Sequence, residues 1–87
     1  NKYKEENKMT AKTILKKIMV SKCITNADLA KHLGMHPATL WERLNAKKTD
    51  NMTVNKLNDM LKPMGFKTVI VPEEKEVSDG EYAIESS

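Results

Sequence analysis

Residues 26–45 have the sequence NADLAKHLGMHPATLWERLN, which holds the strongest structural signals in the chain. Apolar residues recur in it at helical spacing and form two groups, one on each side of Gly34. A glycine directly after the last apolar residue of a helix lets the helix end and the chain reverse. Pro37 suits the first turn of a second helix, because its φ is already helical and its missing amide hydrogen is not needed there. The stretch therefore predicts two helices joined by a short turn, the second spanning about 37–45.

Capping signals mark the start of two helices before that turn. Thr25 and Asp28 fit the capping box, in which the threonine hydroxyl and the carboxylate each bond the other residue's backbone amide. Thr10 can cap an earlier helix over 11–21, in which lysines lie opposite an apolar face. The residues of that face are Ile14, Leu15, Ile18 and Met19.

After residue 45 the sequence predicts a fourth helix and a short strand. Thr53 caps this helix, and Pro63 and Gly65 end it. Its apolar stripe comprises Val54, Leu57, Met60 and Leu61. Residues 67–71 are β-branched and apolar between Gly65 and Pro72, which is typical of a strand. The predicted fold is all-α, a compact domain of four to five helices with a short C-terminal β-strand.

Charge and composition divide the 87 residues into segments around one small domain. We expect a flexible arm at 1–9, the helical domain at 10–66, a dimerisation strand at 67–72 and a disordered acidic tail at 73–87. Residues 1–72 hold fourteen basic and six acidic side chains, a balance of +8. The tail holds one basic and six acidic side chains, a balance of −5. A body this basic favours a polyanionic partner, of which nucleic acid is the common one.

The segment 26–45 resembles the helix-turn-helix of the lambda-repressor-like (Cro/Xre) regulators. Ala30 has the small size needed where two helices cross, Gly34 follows four residues later at the turn, and Leu40 anchors the second helix. The resemblance covers 10–66 and extends to phage and prophage repressors of this size. It implies a lambda-repressor-like fold and a sequence-specific repressor of transcription, whose partner is double-stranded DNA.

The resemblance also implies which side chains contact bases: His36, Ala38, Glu42 and Asn45. A helical wheel agrees for three of them, because they lie opposite Leu40 and Leu44, which mark the buried face. Glu42 can accept a hydrogen bond from a cytosine amino group, and Ala38 can meet a thymine methyl. Asn45 and His36 can each bond a base edge or a phosphate.

Contacts to the DNA backbone are expected from a second set of residues: Asn26, Thr39, Trp41, Lys47 and Lys48. Asn26 lies at the positive end of a predicted helix, which suits a phosphate group. Lys47 and Lys48 directly follow the second helix of the motif, although a lysine pair in a loop is often simply solvated. Trp41 lies on the flank of that helix, where it either packs against the next loop or covers sugar and phosphate.

The predicted strand indicates a homodimer, because a lone strand leaves its amides and carbonyls unpaired. The expected mate is the same segment of a second copy, paired through Phe66, Thr68, Val69, Ile70 and Val71. Such a dimer would separate the two copies of the DNA-reading helix by about 34 to 36 Å, which predicts an inverted-repeat operator. The rival is that 67–71 pack on the first helix or pair weakly with the tail.

Other functions find little support in the sequence. His32 and His36 have the spacing of two zinc ligands, but Gly34 breaks the helix that would align their rings. Cys23 is the single cysteine, so the chain cannot form an internal disulfide, and this indicates a reducing cytoplasm. The sequence shows no basic residue matched to Cys23 that would make its thiol a nucleophile. The longest apolar runs are three residues, against roughly 18 for a membrane span. We therefore expect no enzymatic activity, metal, cofactor, membrane association or small-molecule substrate.

An alternative function keeps the fold and changes the partner. The chain would then be an antitoxin or a phage-encoded inhibitor that binds another protein, or an acidic mimic of nucleic acid. Salt separates the two hypotheses, because binding to duplex DNA weakens steeply as salt rises.

Overall fold

The computed structural model describes residues 8–45 and 52–84, and this part of the chain is mostly helical. Its four helices are α1 (Ala11–Ser21), α2 (Asn26–Leu33), α3 (Pro37–Asn45) and α4 (Val54–Leu61), and a 3-10 turn (Lys62–Met64) follows. Two strands of two residues each, β1 (Lys8–Met9) and β2 (Ala83–Ile84), pair in parallel. The prediction of an all-α class with four helices is confirmed.

Three of the four helices, α1, α2 and α4, begin where the sequence predicts because threonine side chains bond their first turns. The hydroxyls of Thr10 and Thr53 accept from backbone amides three residues further on, at 3.3 and 3.2 Å. At α2 both bonds of the capping box are present, since Thr25 accepts from the Asp28 amide and the Asp28 carboxylate accepts from the Thr25 amide, each at 3.1 Å. The side-chain bonds satisfy amides that have no partner inside the helix.

The core lies between the four helices and is entirely apolar in the described residues. Its most deeply buried large side chains are Leu15, Ile18, Leu29 and Leu40, and burying each stabilises the fold by about 1.5 to 3 kcal/mol. Val54, predicted in the stripe of α4, is instead 64% exposed. It is the first residue of α4, and burial in that helix begins one turn later, at Leu57.

The strand predicted at 67–71 is wrong. These residues have irregular backbone, and Val69, Ile70 and Val71 are 61%, 100% and 48% exposed. A strand needs a neighbour to bond, and within 8–45 and 52–84 the strand pairing is between β1 and β2 alone. The rival expectation of pairing with the tail fails for the same reason.

Residues 73–84, predicted to be disordered, fold back along the helical body. The ring of Tyr82 packs on Phe66, with centroids 6.4 Å apart and an interplanar angle of 55°. Lys75 and Glu81 form an ion pair at 2.9 Å. In the parallel sheet Lys8 pairs with Ala83 and Met9 pairs with Ile84. Lys8 and Met9 therefore belong to β1, although the sequence predicted a flexible arm at 1–9. One aromatic contact and one strand pair therefore order a segment whose composition predicted disorder.

No helix in the described ranges is long and apolar enough to cross a membrane.

Candidate nucleic-acid interface

The turn between α2 and α3 is made by Gly34. Its φ of 64° and ψ of 35° are left-handed, a conformation that costs glycine little because it has no Cβ. The Gly34 amide donates to the carbonyl of Lys31 at 3.2 Å, and the Met35 amide donates to that of Ala30 at 2.9 Å. These are the two bonds of a Schellman motif, which ends α2 within one residue. The chain therefore reverses over Gly34, Met35 and His36 before α3 begins.

A second contact ties the start of α2 to the start of α3. The side-chain amide of Asn26 donates to the carbonyl of Pro37 at 2.8 Å. Ala30 is fully buried, and its methyl group lets the helix backbones approach more closely than a larger side chain would. The orientation of α3 relative to α2 is thus set by a hydrogen bond at one end and by core packing in the middle.

The two faces of α3 differ as the helical wheel predicts. Leu40 is fully buried and Leu44 is 3% exposed, so these two leucines fix the helix to the core. The exposed residues of α3 include Ala38, Thr39, Trp41, Glu42 and Asn45. The structure therefore brings together on one open face three of the predicted base-contacting residues, and it leaves the predicted phosphate contact Thr39 exposed beside them.

His36 caps α3, a role that the sequence analysis missed. Its ring Nδ1 accepts from the Ala38 amide at 3.2 Å, and its carbonyl accepts from the Leu40 amide at 3.1 Å. When the ring is neutral and Nδ1 accepts, Nε2 carries the proton and is a donor. The signal that could have indicated this role is the position of His36 directly before Pro37, where a cap is needed.

Two asparagines at the candidate site also have bonds inside the protein. Asn45 donates from its side-chain amide to the carbonyl of Trp41 at 2.8 Å, and Asn26 donates to Pro37 as described above. A primary amide has two N–H donors and one oxygen acceptor. Towards the residues that the structure describes, each asparagine therefore uses one N–H and leaves the other N–H and the oxygen for a further partner, while its rotamer is set by the protein.

The predicted phosphate site at the start of α2 includes a negative charge. The hydroxyl and the backbone N–H of Thr25 bond the Asp28 carboxylate and hold its pKa below the ordinary value, and the charges of His32 and Lys31 act in the same direction. A carboxylate in the first turn competes with a phosphate for the positive helix end. The charge of Asp28 therefore weakens the physical case for a phosphate contact at Asn26.

The remaining predicted contacts are at or beyond the end of α3. Trp41 is 59% exposed, so most of its indole surface is open to a partner. Lys47 and Lys48 lie outside the described residues, and their role stays a prediction. Among the described side chains there is no group of three or more His, Cys, Asp or Glu residues that could hold a metal ion.

Comparisons of this chain with models of protein families, with curated proteins and with solved structures find no match.

Proposed function

We propose that the protein is a sequence-specific double-stranded DNA-binding regulator of transcription, a repressor of the lambda-repressor-like helix-turn-helix kind. The observation that carries the proposal is the division of α3 into a buried leucine face and an opposite, exposed face that carries Ala38, Glu42 and Asn45. A helix with its side chains is about 10 to 12 Å across, and the major groove of B-DNA is about 12 Å wide. Residues 37–45 are therefore of a size and surface that suit insertion into that groove.

Small residues early in α3 support close approach to the bases. Ala38 is exposed in the first turn of α3, and its methyl group can contact a thymine methyl without holding the helix away from the groove. Glu42, one turn further along, can accept from the exocyclic amino group of cytosine. The proposal assigns base discrimination to these two residues, with His36 and Asn45 as further donors.

Fixed geometry between α2 and α3 supports specific binding. Base readout needs side chains held to within fractions of an ångström, and supporting hydrogen bonds give that precision. The Asn26 to Pro37 bond and the His36 cap both act on the first turn of α3, where the reading residues begin. These bonds reduce the conformational freedom that binding would otherwise have to remove.

Charge supports a polyanionic partner. The balance of +8 over residues 1–72 raises the local concentration of DNA around the body and speeds encounter. Contacts to phosphates then position the helix but carry no sequence information. In the proposal Lys47 and Lys48 take this positioning role, together with Trp41 on the flank of α3.

Selection of bound sequences from a random duplex library tests the proposal. We expect enrichment of a defined sequence, with binding to it tighter than to scrambled duplex by about 10³-fold or more. Equal binding to all duplexes would reduce the function to non-specific association. Failure to bind any duplex at low salt would contradict the proposal and favour a protein-binding role.

A further inference from the structure

We infer that His36 donates a hydrogen bond from Nε2 to N7 of a guanine, and that its cap on α3 sets this preference. The inference rests on the proposed DNA-binding function and deepens it, because it names the base that the start of α3 recognises. The observation that carries it is the bond of 3.2 Å in which the Ala38 amide donates to Nδ1 of the His36 ring. This bond uses the one acceptor that the ring has.

The cap fixes which ring nitrogen carries the proton. A backbone N–H can only donate, so Nδ1 of His36 is unprotonated wherever it accepts from Ala38. An imidazole ring keeps a proton on at least one nitrogen, and in the capped ring that nitrogen is Nε2. His36 is exposed, and its Nε2 makes no hydrogen bond to the residues that the structure describes. The ring therefore offers a partner one donor and no acceptor.

The position of this donor is fixed by the first turn of α3. The His36 carbonyl accepts from the Leu40 amide at 3.1 Å, so backbone and ring of His36 both bond the same turn. Pro37 restricts φ at the first residue of α3, and its carbonyl accepts from the Asn26 side chain at 2.8 Å. The ring can turn only by breaking its bond to Ala38. Nε2 is therefore held close to the start of α3, where the proposed reading face begins.

A lone donor distinguishes the four bases in the major groove. Cytosine presents an amino donor there, and adenine presents an amino donor beside its N7 acceptor. Because Nδ1 is already bonded to Ala38, neither amino group finds an acceptor on the ring, and an unpaired polar group in an interface is costly. Thymine presents one acceptor beside a methyl group, whereas guanine presents two, N7 and O6. Guanine is therefore the base whose edge best matches His36.

The tautomer can be measured in the free protein. Long-range proton–nitrogen correlation spectra, recorded where the histidine rings are neutral, should show His36 with its proton on Nε2 alone. His32 is the internal control, because it is exposed on α2 and its ring makes no hydrogen bond to the residues that the structure describes. We expect His32 to exchange between both tautomers. A proton on Nδ1 of His36, or a mixture like that of His32, would overturn the inference.

A substitution in the DNA tests the base contact. Once the wild type has selected a sequence, each guanine in it is replaced in turn by 7-deazaguanine, which lacks the N7 acceptor and keeps Watson–Crick pairing. We expect one guanine at which the replacement lowers affinity about three- to tenfold, the range of a single hydrogen bond.

His36→Ser is the matched variant for this experiment. The serine hydroxyl still caps the helix, and nothing remains at the position of Nε2, so thermal unfolding should be close to that of the wild type. The variant should bind the intact sequence about three- to tenfold more weakly and should not respond to 7-deazaguanine at the same position.

The outcomes separate this inference from the function on which it rests. A wild type that selects no sequence contradicts the proposed function and the inference with it. A selected sequence in which no guanine N7 is coupled to His36 overturns the inference alone. Coupling of His36 to a methylphosphonate in place of one phosphate would assign the donor to the DNA backbone and would also overturn the contact with guanine.

Discussion

Asn26 and His36 each bond the first turn of α3 through a side-chain nitrogen. Asn26 holds the Pro37 carbonyl at 2.8 Å, and His36 accepts the Ala38 amide at 3.2 Å. Residues that a sequence motif assigns to DNA therefore also build the helix that presents the other contacts. A variant of either residue that binds DNA less tightly would therefore have lost a DNA contact or displaced α3, and only a stability measurement separates these two causes.

Asn26→Ala should lower the free energy of unfolding by about 1 kcal/mol, the net value of one hydrogen bond. Its loss should also reduce DNA affinity, because α3 becomes less fixed relative to α2. Chemical denaturation and duplex titration of the same preparation check both effects. Unchanged stability with reduced affinity would show that Asn26 acts on phosphate directly and that its bond to Pro37 contributes little.

Asp28 makes the stability of α2 sensitive to acid. The Thr25 bonds place its pKa in the folded chain below the ordinary value of 3.8. The stabilisation is therefore fully present above the unfolded value and is lost as the pH falls through the lower folded value. Asp28→Asn removes this charge, so the stability difference between wild type and variant should shrink between about pH 5 and about pH 2. Denaturation curves at both pH values measure it, and a constant difference would contradict the assignment.

Among the secondary-structure elements, the helices could be predicted because their signals are local. Thr10, Thr25 and Thr53 each bond an amide three residues away, and Gly34 acts within its own turn. The contact between Phe66 and Tyr82 joins residues sixteen apart, and composition carries no sign of it. The β-branched residues 67–71 predicted a strand that the structure does not have, because a strand forms only where a neighbour supplies the bonds.

The turn between α2 and α3 should depend on the backbone of Gly34 and not on space around it. A Cβ built at Gly34 meets nothing within 4 Å, although φ is +64°. Gly34→Ala should therefore destabilise the protein by about 1 to 2 kcal/mol through backbone strain alone. Gly34→Asn should cost less, because asparagine adopts the left-handed region more readily. Equal losses for both variants in thermal unfolding would point to a cause other than φ.

At the scale of the whole molecule, the exposed face of α3 was the predictable part of the candidate site. Helical periodicity separates Leu40 and Leu44 from Ala38 and Glu42 without any knowledge of the fold. The bond from Asn26 to Pro37 could not be predicted in the same way, because it spans eleven residues and depends on the angle between two helices.

Binding to duplex DNA should weaken with salt, with a slope of log affinity against log salt of about −0.9 for each phosphate neutralised. The double variant Lys47→Ala, Lys48→Ala should reduce the magnitude of this slope by up to the contribution of about two phosphates. Lys16→Ala with Lys17→Ala removes the same charge from the exposed face of α1 and serves as the control. Anisotropy titrations at several salt concentrations measure the slopes. Equal flattening by both pairs would mean that binding follows net charge and not a defined site.

The most direct measurement of the central claim compares the sequences that wild type, Glu42→Gln and Asp59→Asn select from one random duplex library. Glu42 and Asp59 are both exposed acidic residues on helices, and both variants remove one negative charge. If α3 reads bases, Glu42→Gln changes the preferred base at one position of each half-site by about 1 to 3 kcal/mol, since glutamine bonds adenine where glutamate accepts from cytosine. Asp59→Asn should select the wild-type sequence. One identical consensus for all three proteins, or no consensus for any of them, would contradict base readout by α3.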